Sequence, residues 1–188
     1  MAVRTFFSPR FKQLRQAHHL TGGQMADLLH IKSKVSISQF ESGTSLPKPM
    51  TLVGISNLFA VSLDWLLQPG YQPYNEDKIS HLEKTLYTFT TQTPVLSDFS
   101  TDYYAATWFM RDPIGQYYLD PTTHTDYSLS VRANIIYCLN VLIHVTDKQC
   151  ACSKYSELEI QCREILEDYI VHKKNITVPV FDITKEPT

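Results

Sequence analysis

Residues 21–43 read Thr21-Gly22-Gly23-Gln24-Met25-Ala26-Asp27-Leu28-Leu29-His30-Ile31-Lys32-Ser33-Lys34-Val35-Ser36-Ile37-Ser38-Gln39-Phe40-Glu41-Ser42-Gly43, and the pattern is that of two short helices joined by a turn. Thr21-x-x-Gln24 has capping-box spacing. Met25, Ala26, Leu28 and Leu29 then follow at helical intervals. The helix ends near His30, the chain turns through Ile31 and Lys32, and Ser33 can cap a second helix over Lys34 to Glu41 that stops at Gly43. Ile37 and Phe40 face inward. That leaves Lys34, Val35, Ser36 and Gln39 outward near the start of a short helix, where an element entering the major groove presents its reading side chains.

Upstream, Ser8 followed by Pro9 reads as a helix start, with Phe11, Leu14 and Ala17 on one apolar face and a turn at His18-His19-Leu20. Downstream, Pro47 and Pro49 break the chain before a helix carrying Leu52, Ile55, Leu58 and Phe59. Ser62 then caps a short fifth helix, Leu63 to Leu67. The charge follows the same division. The whole chain carries −2, but residues 1–70 hold seven lysines and arginines against three acids, a net +4, which leaves −6 for residues 71–188. A basic module on an acidic body is expected when only one part meets phosphate. All eleven tyrosines lie from Tyr71 onward. The expected organisation is a domain over residues 1–68, a linker over 69–74 built on Gln68-Pro69-Gly70, and a second domain over 75–188.

In their order and spacing, Leu14-Arg15, Leu20-Thr21, Met25-Ala26, Ser33 to Glu41, Gly43, Pro47 and the closing Val61-Ser62-Leu63-Asp64-Trp65-Leu66-Leu67 resemble the Cro and phage-repressor (Xre) family of helix-turn-helix proteins over residues 8–68. The resemblance implies a five-helix, lambda-repressor-like DNA-binding domain. It implies that Lys34, Val35 and Gln39 read base edges and that Ser36 and Ser38 reach bases or phosphates. It places Thr21, Lys32 and Lys48 near the DNA backbone, and Arg15 and Glu41 as a structural ion pair. Glutamine can offer adenine a donor and an acceptor, lysine can donate to guanine, and valine can pack on a thymine methyl. Two departures stand out. Gly22-Gly23 replaces the glutamine that commonly opens the family's second helix, leaving backbone N–H groups at Gly22 to meet a phosphate. The turn through His30-Ile31-Lys32 is also one residue longer, which would tilt the reading helix.

The remainder predicts a mostly helical domain with room for one or two short strands. Asn75 with Glu76 and Asp77 opens an amphipathic helix through Ile79, Leu82, Leu86 and Phe89. The apolar run Val131 to Val145 reads as a buried helix or a buried strand. Tyr155, Leu158, Cys162, Ile165 and Tyr169 recur at steps of three and four, the spacing of a seam. That seam serves a dimer or packs on Ile79-Leu82-Leu86 in the same chain. Thr177 to Ile183 reads as an edge strand or as irregular chain. Tyr103, Tyr104, Trp108, Tyr117 and Tyr118 form an aromatic cluster that reads as ordinary core in preference to a ligand pocket.

With 43% hydrophobic and 19% charged residues, the chain has the composition of a folded globular protein. Its longest apolar run falls well below the roughly 20 residues of a membrane span, and the four cysteines suit a reducing compartment, so a cytoplasmic location and no membrane partner are expected. Cys150-Ala151-Cys152 with Cys138, Cys162, His144 and His172 lacks the ligand spacing of a zinc site; no metal and no cofactor are expected. No catalytic motif appears, so an enzyme is not expected. The functions these features and the resemblance imply begin with a homodimeric repressor on a palindromic operator in double-stranded DNA. The alternatives are an antitoxin that represses its own operon and grips a toxin through its second domain, and a protein-interaction or ligand-sensing module with weakened DNA binding. A small-molecule or protein effector would act on residues 75–188.

Overall fold

Phe7 sets where the chain begins to coil. The computed structural model describes residues 3–92, 127–147, 153–168 and 179–184. Its first helix, α1, is Arg4–Ala17, with Pro9 inside it; the expected start at Ser8 therefore lies too far downstream. Phe7 is fully buried, stacks on Phe11 at 5.2 Å and meets Phe40 edge-on at 6.4 Å. Burying one such ring contributes about 2 kcal/mol, more than the roughly 1 kcal/mol of the one backbone hydrogen bond that Pro9 cannot donate.

The following helices are α2 (Gly22–Leu28), α3 (Lys34–Glu41), α4 (Pro49–Leu58), α5 (Leu63–Leu67), α6 (Glu76–Gln92), α7 (Leu129–Asp147) and α8 (Ser153–Leu166). There is no strand among the described residues. The starts follow the expected capping chemistry. Thr21 and Gln24 close a reciprocal capping box, Ser33 Oγ accepts from Val35 N–H, and Ser62 Oγ accepts from Asp64 and Trp65 N–H. Asn75 Oδ1 accepts from Lys78 N–H at 2.8 Å.

Three helix ends share one geometry. After α1, α2 and α4 the backbone turns left-handed at His19, His30 and Ala60, with φ of 52°, 53° and 53°. In each case two N–H groups reach back, as from Leu20 to Arg15 and from His19 to Gln16. Each turn satisfies two carbonyls that would otherwise end the helix unpaired. At Gly43, φ is +72° and an added Cβ would lie 3.3 Å from Ser8 Oγ, so this stop needs glycine.

α1 packs on α3 and α5, and α2 packs on α3. α7 lies against α4, α6 and α8, and this explains a sequence apolar almost all round: Val131, Ile135, Ile136, Tyr137, Leu139, Val141 and Leu142 are all buried. Its one strong cation, Arg132, bridges Glu76 and Glu83 of α6 at 2.8 and 2.6 Å. Residues 69–74 join α5 to α6, with Ser62 N–H donating to Pro73 O at 2.8 Å. A single apolar core runs from Phe7 through α7 to Ile183. No helix of the described residues is long and apolar enough to cross a membrane.

The N-terminal and C-terminal parts meet around His18. Its ring lies 4.7 Å from Phe59, 4.3 Å from Tyr137 and 4.9 Å from Phe181, and its Nδ1 bonds to Leu14 O at 2.8 Å. Because a carbonyl only accepts, the neutral ring carries its proton on Nδ1. Complete burial holds the His18 pKa down from 6.5 to about 3. The unfolded chain takes up a proton near 6.5 and the folded chain does not until about 3. The stability contributed here is therefore complete above the unfolded value and is lost as pH falls through that window, by up to about 1.4 kcal/mol per pH unit. Urea unfolding should give a midpoint that drops as pH falls below about 6.5, and His18→Phe should flatten most of that slope. An unchanged slope in the variant would show that the loss arises elsewhere.

Candidate nucleic-acid interface

α3 has eight residues and two faces. Ile37 and Phe40 are buried, whereas Lys34, Val35, Ser38 and Gln39 are exposed, Val35 at 57%. At 100° per residue these four occupy one continuous arc, with Ser38 between Lys34 and Val35. Ser36 falls on the flank beside Phe40 and is half-buried. Ser38 therefore stands nearer the middle of the exposed face than Ser36. The step of four from Lys34 was the signal that would have put it there.

The back of α3 is fixed by Arg15. Its Nε and Nη2 both bond Glu41, the latter at 3.1 Å, and its Nη1 donates to Leu20 O at 3.0 Å. The implied pair between α1 and α3 is thus present, and the carboxylate holds the Arg15 guanidinium above its usual range. Thr21 is exposed at the cap of α2, where its Oγ1 accepts from Gln24 N–H at 3.2 Å. Gly22 opens α2 into free space, with nothing within 4 Å of an added Cβ. Lys32 is exposed in the turn and Lys48 at the cap of α4. The two acids of this segment are engaged, Glu41 by Arg15 and Asp27 by the Tyr155 hydroxyl at 3.0 Å. The exposed charge over residues 19–48 comes from Lys32, Lys34 and Lys48, which suits a phosphate-bearing partner.

Sequence reasoning missed what lies behind the turn. His30 packs against His144 of α7 with ring centroids 5.5 Å apart, His144 lies 5.9 Å from Tyr155 of α8, and Tyr155 reaches Asp27 of α2. Such pairings come from residues more than a hundred positions apart, and no local pattern announces them.

Of the seam residues, Tyr155, Leu158, Cys162 and Ile165 are buried within the single chain, where α8 lies on α7. Packing inside the chain accounts for their spacing, with α7 as the partner in place of Ile79-Leu82-Leu86. Tyr169, the aromatic cluster from Tyr103 to Tyr118, Cys150, Cys152 and His172 lie outside the described residues. Cys138 and Cys162 are buried. Burial, with the Cys162 thiol beside it, pushes the Cys138 thiol well up, the condition of an unreactive structural thiol. Among the described residues no three His, Cys, Asp or Glu side chains are grouped to hold a metal ion.

Residues 11–66 match the helix-turn-helix family, which bears out the fold implied for residues 8–68. The chain is 39% identical over 61 residues to the HTH-type transcriptional activator BcrR of Enterococcus faecalis, covering 32% of this chain and 29% of that protein. It is 40% identical over 62 residues to the uncharacterized HTH-type transcriptional regulator YqaE of Bacillus subtilis (strain 168), covering 33% of this chain and 53% of that one. The chain thus spans about half the length of one relative and under a third of the other. No solved structure matches it.

Removing the carboxylate behind α3 should destabilise the domain without touching its outer face. Glu41→Ala is expected to lower unfolding stability by about 1–2 kcal/mol, the range for a hydrogen-bonded charge pair discounted for partial exposure. Urea denaturation measures it, and a change under about 0.3 kcal/mol would mean that α3 is held by Ile37 and Phe40 alone.

Proposed function

We propose that this protein is a sequence-specific transcription regulator that binds double-stranded DNA as a homodimer, with α3 as its reading helix. The observation that carries the reading is the exposed arc of Lys34, Val35, Ser38 and Gln39 on a helix whose other face is locked into a helix-turn-helix core. Lys34 and Gln39 supply polar readout of base edges, with Ser36 on the flank, and Val35 supplies an apolar contact to a thymine methyl. Thr21, the Gly22 N–H, Lys32, Ser38 and Lys48 position the domain on phosphates without carrying sequence information themselves.

In this reading residues 1–68 bind DNA and residues 75–188 bring two copies together or receive an effector. The argument for two copies is geometric. One short helix spans only a few base pairs, and a two-fold site with half-sites about 34 Å apart needs two heads. The regulator acts in the cytoplasm, and occupancy of such an operator represses by blocking access to the promoter. A promoter–reporter assay tests the sign, and increased transcription on expression would reverse it.

Operator sequences selected from random DNA should be palindromic. Lys34→Ala with Gln39→Ala should weaken operator binding by about 10- to 100-fold or more, at roughly 1–3 kcal/mol per lost base contact, with the helical content unchanged. Lys32→Ala should weaken all sequences alike and reduce the salt slope by about one. A double variant that binds the selected operator as tightly as the parent would remove α3 from the reading role.

A further inference from the structure

The C-terminal segment 179–184 is held in a different way from every other part of the chain. It forms neither helix nor strand, and its side chains alternate, with Phe181 and Ile183 buried and Val180 and Thr184 exposed. Its backbone is gripped by side chains. Asn134 of α7 accepts from Phe181 N–H at 2.8 Å and donates to Phe181 O at 3.1 Å, so one amide meets both polar groups of one residue. Gln13 of α1 donates to Ile183 O at 2.5 Å. The Phe181 ring enters a cleft lined by His18 and Tyr137, 4.9 and 5.1 Å away. Asp182 then turns the chain outward by accepting from Thr184 N–H and Oγ1 at 2.9 and 2.6 Å. Main-chain bonds for affinity and pockets for alternate side chains for specificity are how proteins bind extended peptides.

We propose that the cleft between α1 and α7 is a peptide-recognition site whose built-in occupant is this chain's own Val180–Ile183, and that it takes from a partner protein an extended segment carrying an aromatic residue, any residue, then an aliphatic one. The cleft reads the segment through Asn134 on the aromatic residue's backbone, the ring pocket beside His18 and Tyr137, and Gln13 two residues on. This goes beyond the DNA-binding reading and does not depend on it. A tethered occupant acts at an effective concentration in the millimolar range, so a partner segment binds detectably only when the chain's own segment is weakened or outcompeted. Because the cleft is shared by α1 and α7, exchanging its occupant changes the tie between the helix-turn-helix and the helices behind it.

The test uses full-length protein and a fluorescent peptide, Val-Pro-Val-Phe-Asp-Ile-Thr-Lys, followed by anisotropy. Phe181→Ala vacates the ring pocket in cis, and this variant should bind the peptide at least tenfold more tightly than the parent does. The same peptide with alanine for phenylalanine should bind neither. Equal binding to parent and variant, or no binding to a variant that keeps its helical circular dichroism, overturns the proposal. If Phe181→Ala does not fold, hydrogen exchange on the parent decides. The Phe181 amide should exchange at least tenfold faster than those of Ile136 and Leu139, because a replaceable segment detaches without global unfolding; equal rates overturn it. A parent that dimerises at micromolar concentration and a Phe181→Ala chain that does not would assign the cleft to exchange between copies, and would overturn the partner-segment assignment.

Discussion

The direction in which α3 faces depends on Arg15. An eight-residue helix is too short to be stable by itself, and only two of its side chains enter the core. The planar guanidinium joins three places that are separate along the chain: its own position on α1, the α1–α2 turn at Leu20 O and the last residue of α3. A lysine ammonium would neutralise Glu41 but has no rigid fork, so it would leave the rotation of α3 far less constrained. Everything that orients the exposed arc is attached to the inner side or the end of α3. Lys34, Val35, Ser38 and Gln39 therefore carry no structural duty.

What was legible in the sequence was whatever has a short-range cause. The caps at Thr21, Ser33, Ser62 and Asn75 are polar side chains bonding to backbone two or three residues away, and each falls where its pattern indicated. The stop at Gly43 was legible because a left-handed turn there selects glycine. The equivalent turns at His19, His30 and Ala60 were not, because ordinary residues occupy a conformation for which they have little preference; packing behind them, and not local propensity, sets those ends. The start of α1 was misplaced for a related reason. Ser8-Pro9 is a genuine start signal, but Phe7 finds a ring cluster with Phe11 and Phe40 that no local rule anticipates. Helix and strand could not be separated for Val131 to Val145 because burial on all sides erases periodicity, and α7 is surrounded in that way by α4, α6 and α8.

The exposed arc was largely readable because a helix has a fixed angular step. The surroundings of the turn were not. Asp27, His30, His144 and Tyr155 come together only because α7 and α8 close on the back of α2, so the segment between α2 and α3 is braced from the acidic half of the chain. The ion pairs of Arg132 with Glu76 and Glu83 serve that bracing indirectly, since they fix α6 on α7 and leave the opposite side of α7 to meet α4.

The ring cluster of His18, Phe59, Tyr137 and Phe181 also limits how this chain can be inherited and recombined. Helix-turn-helix heads are often treated as exchangeable parts, joined to one body or another by a linker. Here the end of α1 and the end of α4 present rings that are buried only because α7 and the C-terminal segment lie against them. Cut free after residue 68, the head would expose that oily face to water, and grafted onto a foreign body it would need a matching tyrosine and a matching tail. Substitutions at His18, Phe59, Tyr137 and Phe181 should therefore have been accepted jointly or not at all, which makes the chain one evolutionary unit despite its two-part charge.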